Sequence, residues 1–209
     1  MLIQPTILKG YTMSVHLFGV ENQGGGDTLA LQTTQLPEEL KAIYKPPVPI
    51  PHPGGHTEPE TEHEKELLDY LHSRLRFAKA SVRNSPDNLP MLREIEFLFQ
   101  YGRFYSPRPL PKGLKAGRKQ GCYLASQLHA ADTGSLTYVE GYGLLGIGHA
   151  HAWCIDAEGE VIDRTWTGRK GRPLGQAYFG VPMDRDYVRE LLLARKFADA
   201  FIMPAAFVE

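Results

Sequence analysis

The chain has 209 residues, of which 42% are hydrophobic and 22% charged, a mixture that supports a substantial core and excludes wholesale disorder or a coiled coil. Lys plus Arg number 23 against 24 for Asp plus Glu, so bulk charge does not hold this protein to nucleic acid, and no nucleic-acid partner is expected. No uncharged apolar run approaches the roughly 20 residues that cross a bilayer, and the start of the chain lacks a basic segment followed by a small-residue cleavage site. A soluble, cytoplasmic protein without a membrane partner is therefore expected.

Residues 1–60 read as an irregular N-terminal arm. After a strand-like start, it carries a glycine run at Gly24, Gly25 and Gly26, then a proline-rich stretch whose rings fix φ and withhold amide donors. An extended linker or surface wrap follows from that chemistry. His52, His56 and His63 lie in or beside this polar stretch and are read as solvated. Residues 61–118 form a helical part and a basic loop. Thr61 and Glu64 make a capping box, and Leu67, Leu71, Leu75, Ala78 and Val82 recur at helical spacing. A second helix is predicted from about Pro90 to Tyr101, with Asn88 as its cap and Leu92, Ile95, Leu98 and Phe99 as its apolar stripe. Residues 102–119 are rich in proline, glycine and basic groups and read as loop. Arg103, Arg108, Lys112, Lys115, Arg118 and Lys119 face no acidic residue there, which makes this the one strong local charge asymmetry.

Residues 119–209 form the third predicted part, in which helix and strand signals are mixed. A short helix opens at Cys122, with Leu124, Leu128 and Ala131 as its buried face, and strands follow at Leu136 to Gly143, His151 to Asp156 and Glu160 to Trp166. A final helix from Asp184 or Asp186 should bury Val188, Leu191, Leu192 and Phe197. Both cysteines, Cys122 and Cys154, are read as thiols.

Cys122 is placed where unpaired N–H groups and the helix dipole favour a thiolate. The loop Ala157, Glu158, Gly159 suits a three-residue hairpin with Gly159 left-handed. Its register pairs residues whose numbers sum to 316 and sets His151, Trp153 and Asp163 on one face. Diagonal neighbours of this kind lie roughly 7 Å apart, within reach of an imidazole–carboxylate hydrogen bond. Cys154 has the other parity and should point away. The Cys122 N–H is the first oxyanion donor, Gln120 is a candidate for the second, and Trp153 and Trp166 are candidate walls of the site.

The run Gly121-Cys122-Tyr123 opening a helix, then His151-Ala152-Trp153, a short turn and Val161-Ile162-Asp163-Arg164-Thr165-Trp166, resembles the transglutaminase-like branch of papain-like cysteine enzymes. That family pairs a helix-start cysteine with a His-Ala-Trp strand and an Asp-Pro-Thr strand; Arg164 stands here for the proline. The resemblance covers about residues 119–167. It implies an α+β fold with a Cys-bearing helix packed on an antiparallel sheet, and Cys122 as nucleophile, His151 as general base and acid, and Asp163 as orienter. The expected chemistry is acyl transfer on a peptide or carboxamide bond of a protein, peptide or amide substrate through a thioester, with hydrolysis as the default over transamidation.

Other readings compete with this one. A non-catalytic interaction module could keep the fold and engage an anionic or protein partner through the basic loop and the arm. His149 and His151, two apart on a strand, have a spacing also used by metal ligands, and Cys122 could join them around zinc; the favoured reading takes no metal and no cofactor. Gly141, Gly143 and Gly146 satisfy a dinucleotide-type glycine pattern, but a strand follows where a helix would be needed. They are expected instead to permit a turn between strands and a close approach to the helix bearing Cys122.

Overall fold

The computed structural model describes residues 47–51, 54–117, 121–195 and 200. The strand-like start, the glycine run, His52, Gln120 and Phe197 lie outside them. The described residues form an α+β fold with four α-helices and a curled, antiparallel five-stranded sheet. The elements are α1 Glu62–Asn84, α2 Leu89–Tyr101, β1 Arg103–Tyr105, α3 Cys122–Asp132, β2 Thr137–Leu145, β3 Ile147–Ile155, β4 Val161–Ile162, β5 Ala177–Met183 and α4 Arg185–Arg195. The strand order is β1-β5-β2-β3-β4.

α1 begins as its sequence dictates: the Thr61 hydroxyl accepts from Glu64 N at 3.2 Å, and Glu64 Oε2 accepts from Thr61 N at 2.9 Å. Leu67, Leu71 and Ala78 are buried, and Leu75 is half-buried. α2 differs at its start. Asn88 makes no side-chain cap; a 3-10 turn over Pro86–Asn88 leads into the helix, and Asn88 donates to Ser81 O at 3.2 Å. Ile95 and Leu98 are buried beneath α1, with Phe99 half-buried beside them.

The segment predicted as loop over 102–119 contains β1. Phe104 and Tyr105 alternate between the two faces of the sheet and pair with Phe179 and Tyr178 of β5, so a partner strand distant in sequence turns three residues of apparent loop into an edge. β5 itself was not expected. Gly180 and Pro182 break the local signal of a strand, yet β5 lies between β1 and β2 and is buried along its length.

The β3–β4 hairpin has the expected register, with Cys154 opposite Ile162 and Ile155 opposite Val161. Gly159 is left-handed at φ 83°, and Asp156 N donates to Glu160 O. The strand predicted over Glu160 to Trp166 stops after Ile162, however, because Asp163 Oδ1 accepts from the backbone N–H groups of Thr165 and Trp166 at 2.8 and 3.0 Å. That turn competes with ladder pairing and wins.

The proline-rich stretch wraps the sheet: Ile50 N donates to Pro182 O, Asp184 N donates to Val48 O, and Pro49 bridges Met183. His56 is not solvated. It exchanges backbone hydrogen bonds with Phe104, stacks on that ring and lies 3.1 Å from the buried Glu64 carboxylate. His63 is half exposed.

The helices cover one face of the sheet, burying Tyr138, Tyr142, Leu144, Cys154, Phe179, Val181 and Met183. The opposite face carries a smaller cluster of Tyr105, Val139, Trp153, Ile155, Val161 and Tyr178, with Trp166 packed against it.

Candidate active site

α3 lies on β3 through small and polar residues. The Ser126 hydroxyl donates to Ala152 O at 3.1 Å, and the Cys154 thiol meets Ser126 O at 3.3 Å. Ser126, Gln127 and Ala130 are the buried residues, whereas Leu124 and Leu128 are 47% and 45% exposed. The expected apolar face is thus turned outward. Satisfied hydrogen bonds let a polar face pack against the strand, and small side chains let the helix approach closely. Cys154 points into this contact, as its parity requires, and burial pushes its thiol pKa far up.

Cys122 stands one turn before Ser126, half-buried, at the first position of α3. Gly121 is the N-cap at φ 87° and, lacking a side chain, supplies no cap to the first N–H groups of the helix. β4 pairs only with Cys154 and Ile155, so β3 is an open edge at His151. There the Cys122 thiol lies near enough to influence the protonation of the imidazole. His151 is 1% exposed, and its Nε2 donates to Asp163 Oδ2 at 2.8 Å, a bond that does not use Nδ1. Burial works against the imidazolium, but the hydrogen bond to Asp163 and the influence of Cys122 overcome it, and His151 titrates above its ordinary range. Asp163 is the mirror case. Burial opposes its charge, and the contacts from His151, Trp166 N and Thr165 N hold it below the usual carboxylate range.

The aromatic candidates both lie against the His151 ring. Trp166 stacks on the His151 ring at 3.8 Å between centroids and 14° between planes, and Trp153 lies on the ring at 6.1 Å and 20°. His149 is exposed and meets Trp166 edge-on at 6.0 Å.

Glycines make room for this stack. A Cβ on Gly143 would lie 2.5 Å from the Trp166 ring, and one on Gly180 would lie 2.6 Å from Trp153. Gly141 faces the β5 backbone, where a Cβ would lie 2.2 Å from Phe179 O. The close approach expected toward the Cys122 helix is therefore made to Trp166 and to β5, while Gly146, at φ 75°, serves the turn.

Two contributors were missed. The Tyr178 hydroxyl donates to Asp163 Oδ2 at 2.9 Å, and Thr165 Oγ1 donates to Asp163 Oδ1 at 2.9 Å. The available signal for β5 was the apolar set Ala177, Phe179, Val181 and Met183 at every second position, interrupted on the other parity by Gly180 and Pro182. The basic loop reaches the site through the residue after Asp163: Gly117 N donates to Arg164 O at 2.7 Å, and Arg164 Nε donates to Lys115 O at 3.0 Å. Arg108 pairs with Glu160.

No helix among the described residues is long and apolar enough to cross a membrane. Searches against protein-family models, curated proteins and solved structures find nothing that matches this chain.

Proposed function

We propose that this protein is a cysteine-dependent acyl-transfer enzyme of the papain-like, transglutaminase-like type, acting on a peptide or carboxamide bond. The observation that carries the reading is the buried His151–Asp163 hydrogen bond of 2.8 Å, joined to a cysteine at a helix start that influences the His151 imidazole. A base oriented by a carboxylate and set against a thiol is the minimum equipment for thioester chemistry.

In this reading the Cys122 S–H proton passes to His151, and the sulfur attacks the carbonyl carbon. The developing oxyanion meets the Cys122 N–H and the helix dipole. The C–N bond breaks as His151 returns the proton to the departing amine, leaving a thioester. Water, deprotonated by His151, then attacks the same carbon, the C–S bond breaks and the proton returns to sulfur. An amine in place of water gives transamidation, with the same proton route.

The test is the pH dependence of iodoacetamide labelling. Cys154 is buried and is a poor reference, so a small-molecule thiol serves instead. Cys122 is expected to label well below about pH 8 and faster than the free thiol, with the advantage lost in His151→Ala. Labelling at the ordinary thiol rate, indifferent to His151, would overturn the reading in favour of a non-catalytic interaction module.

A further inference from the structure

Strand β2 lies between β5 and β3, and two strand spacings amount to roughly 9.6 Å. Tyr178 of β5 and His151 of β3 nevertheless bring their ring centroids to 6.0 Å. They can do so because β2 presents no side chain between them: Gly141 stands opposite His151, and Gly143 stands opposite Tyr178. Across that trough the phenol reaches the carboxylate oxygen that His151 also uses, at 2.9 and 2.8 Å respectively. Asp163 thereby accepts from five donors: His151 Nε2 and the Tyr178 hydroxyl on Oδ2, and Thr165 N, Thr165 Oγ1 and Trp166 N on Oδ1.

We propose that Tyr178 is a positioning residue that acts through Asp163: its donated hydrogen bond spreads the carboxylate charge and so weakens the grip of Asp163 on the His151 proton. A carboxylate shared with a second donor stabilises an imidazolium less than an unshared one. Tyr178 therefore keeps the imidazole basic enough to accept the thiol proton and acidic enough to release it. Burial, reinforced by the neighbouring Asp163 charge, pushes the Tyr178 phenol well above its ordinary range, so it remains a donor throughout the working pH range.

The groups facing the pair are few. Cys122 comes from α3 and Tyr178 from β5. Arg164 follows Asp163, but its guanidinium turns to Lys115 O. β2 brings only Gly141 and Gly143, β1 brings Tyr105 behind Trp153, and His149 is separated by Trp166.

This inference rests on the catalytic reading for its purpose but not for its test. The His151 ring of the full chain is followed by NMR from about pH 4 to about pH 10, assigned with His151→Gln. Tyr178→Phe removes the donor and should move the midpoint up, on the order of half a pH unit. Tyr178→3-fluorotyrosine keeps the shape but strengthens the donor and should move it down. The second variant decides the matter alone if the first fails to fold. Unmoved midpoints, shifts of the same sign, or no titration of His151 in any of the proteins would overturn the proposal. A Cys122 that labels like a free thiol would defeat the catalytic reading and leave the titration result standing.

Discussion

Gly143 holds the place of the Trp166 ring, and Trp166 in turn covers the His151 imidazole. In Gly143→Ala the added Cβ meets the ring at 2.5 Å, and the indole must leave its stack on His151. Overpacking of this kind costs about 1–3 kcal/mol. The expected outcome is a lower urea midpoint together with a changed tryptophan emission. Asp163 is held with equal firmness, but by polar contacts: with both oxygens occupied, it has little freedom to offer His151 any geometry but one. Of the site residues, Cys122, His151 and Asp163 were legible as residue types at meaningful spacings. Tyr178 was not, because nothing local links it to a carboxylate 15 residues earlier.

At the scale of elements, α1 is the clearest case of local determination. Its cap is made by residues three apart, and its apolar stripe needs no knowledge of what it packs against. Thr61→Ala should cost about 1 kcal/mol. Glu64→Ala should cost more, about 2 kcal/mol or above, because Glu64 also accepts from Glu60 N at 2.8 Å and holds His56. Urea unfolding measures both, and limited proteolysis of 54–60 should accelerate only in Glu64→Ala. α3 is the opposite case. Its leucines had the periodicity of a buried face, yet the strand beneath it selects Ser126, Gln127 and Ala130. Gln127 donates to the Tyr138 hydroxyl at 3.2 Å, and that phenol is itself within 2.7 Å of Glu140. Hydrophobic pattern alone does not show where buried hydrogen-bond partners wait.

At the scale of the whole molecule, charge burial sets the pH range of stability. The Asp163 pKa is lowered in the fold, so its contribution is present above the unfolded value, near 4, and is lost as pH falls through the folded value. Glu64 behaves alike: burial opposes its charge, and the amides of Glu60 and Thr61 and the nearby His56 overcome that. The His151 pKa is raised, so its contribution is complete below the unfolded value, near 6.5, and is lost as pH rises through the folded one. Stability should therefore peak in mildly acidic to neutral solution. In Asp163→Asn the decline on the acid side should be shallower than in the parent, as read from urea unfolding at stepped pH. A variant with the parent's acid slope would show that Asp163 does not carry this dependence.

By itself the sequence determined what depends on near neighbours: the capped α1, the three-residue turn at Gly159, the resulting register of β3 and β4, and the common face of His151 and Trp153. These follow from dihedral preferences and side-chain periodicity within a few residues. Tertiary structure decided the rest. β5 exists as a strand because β1 and β2 offer partners on either side, and α3 turns its polar face inward because β3 and Tyr138 answer it. Tyr178 reaches Asp163 only because glycines clear the intervening strand. Each of these depends on groups far apart along the chain, whose meeting is settled by the closing of the sheet and not by any local preference.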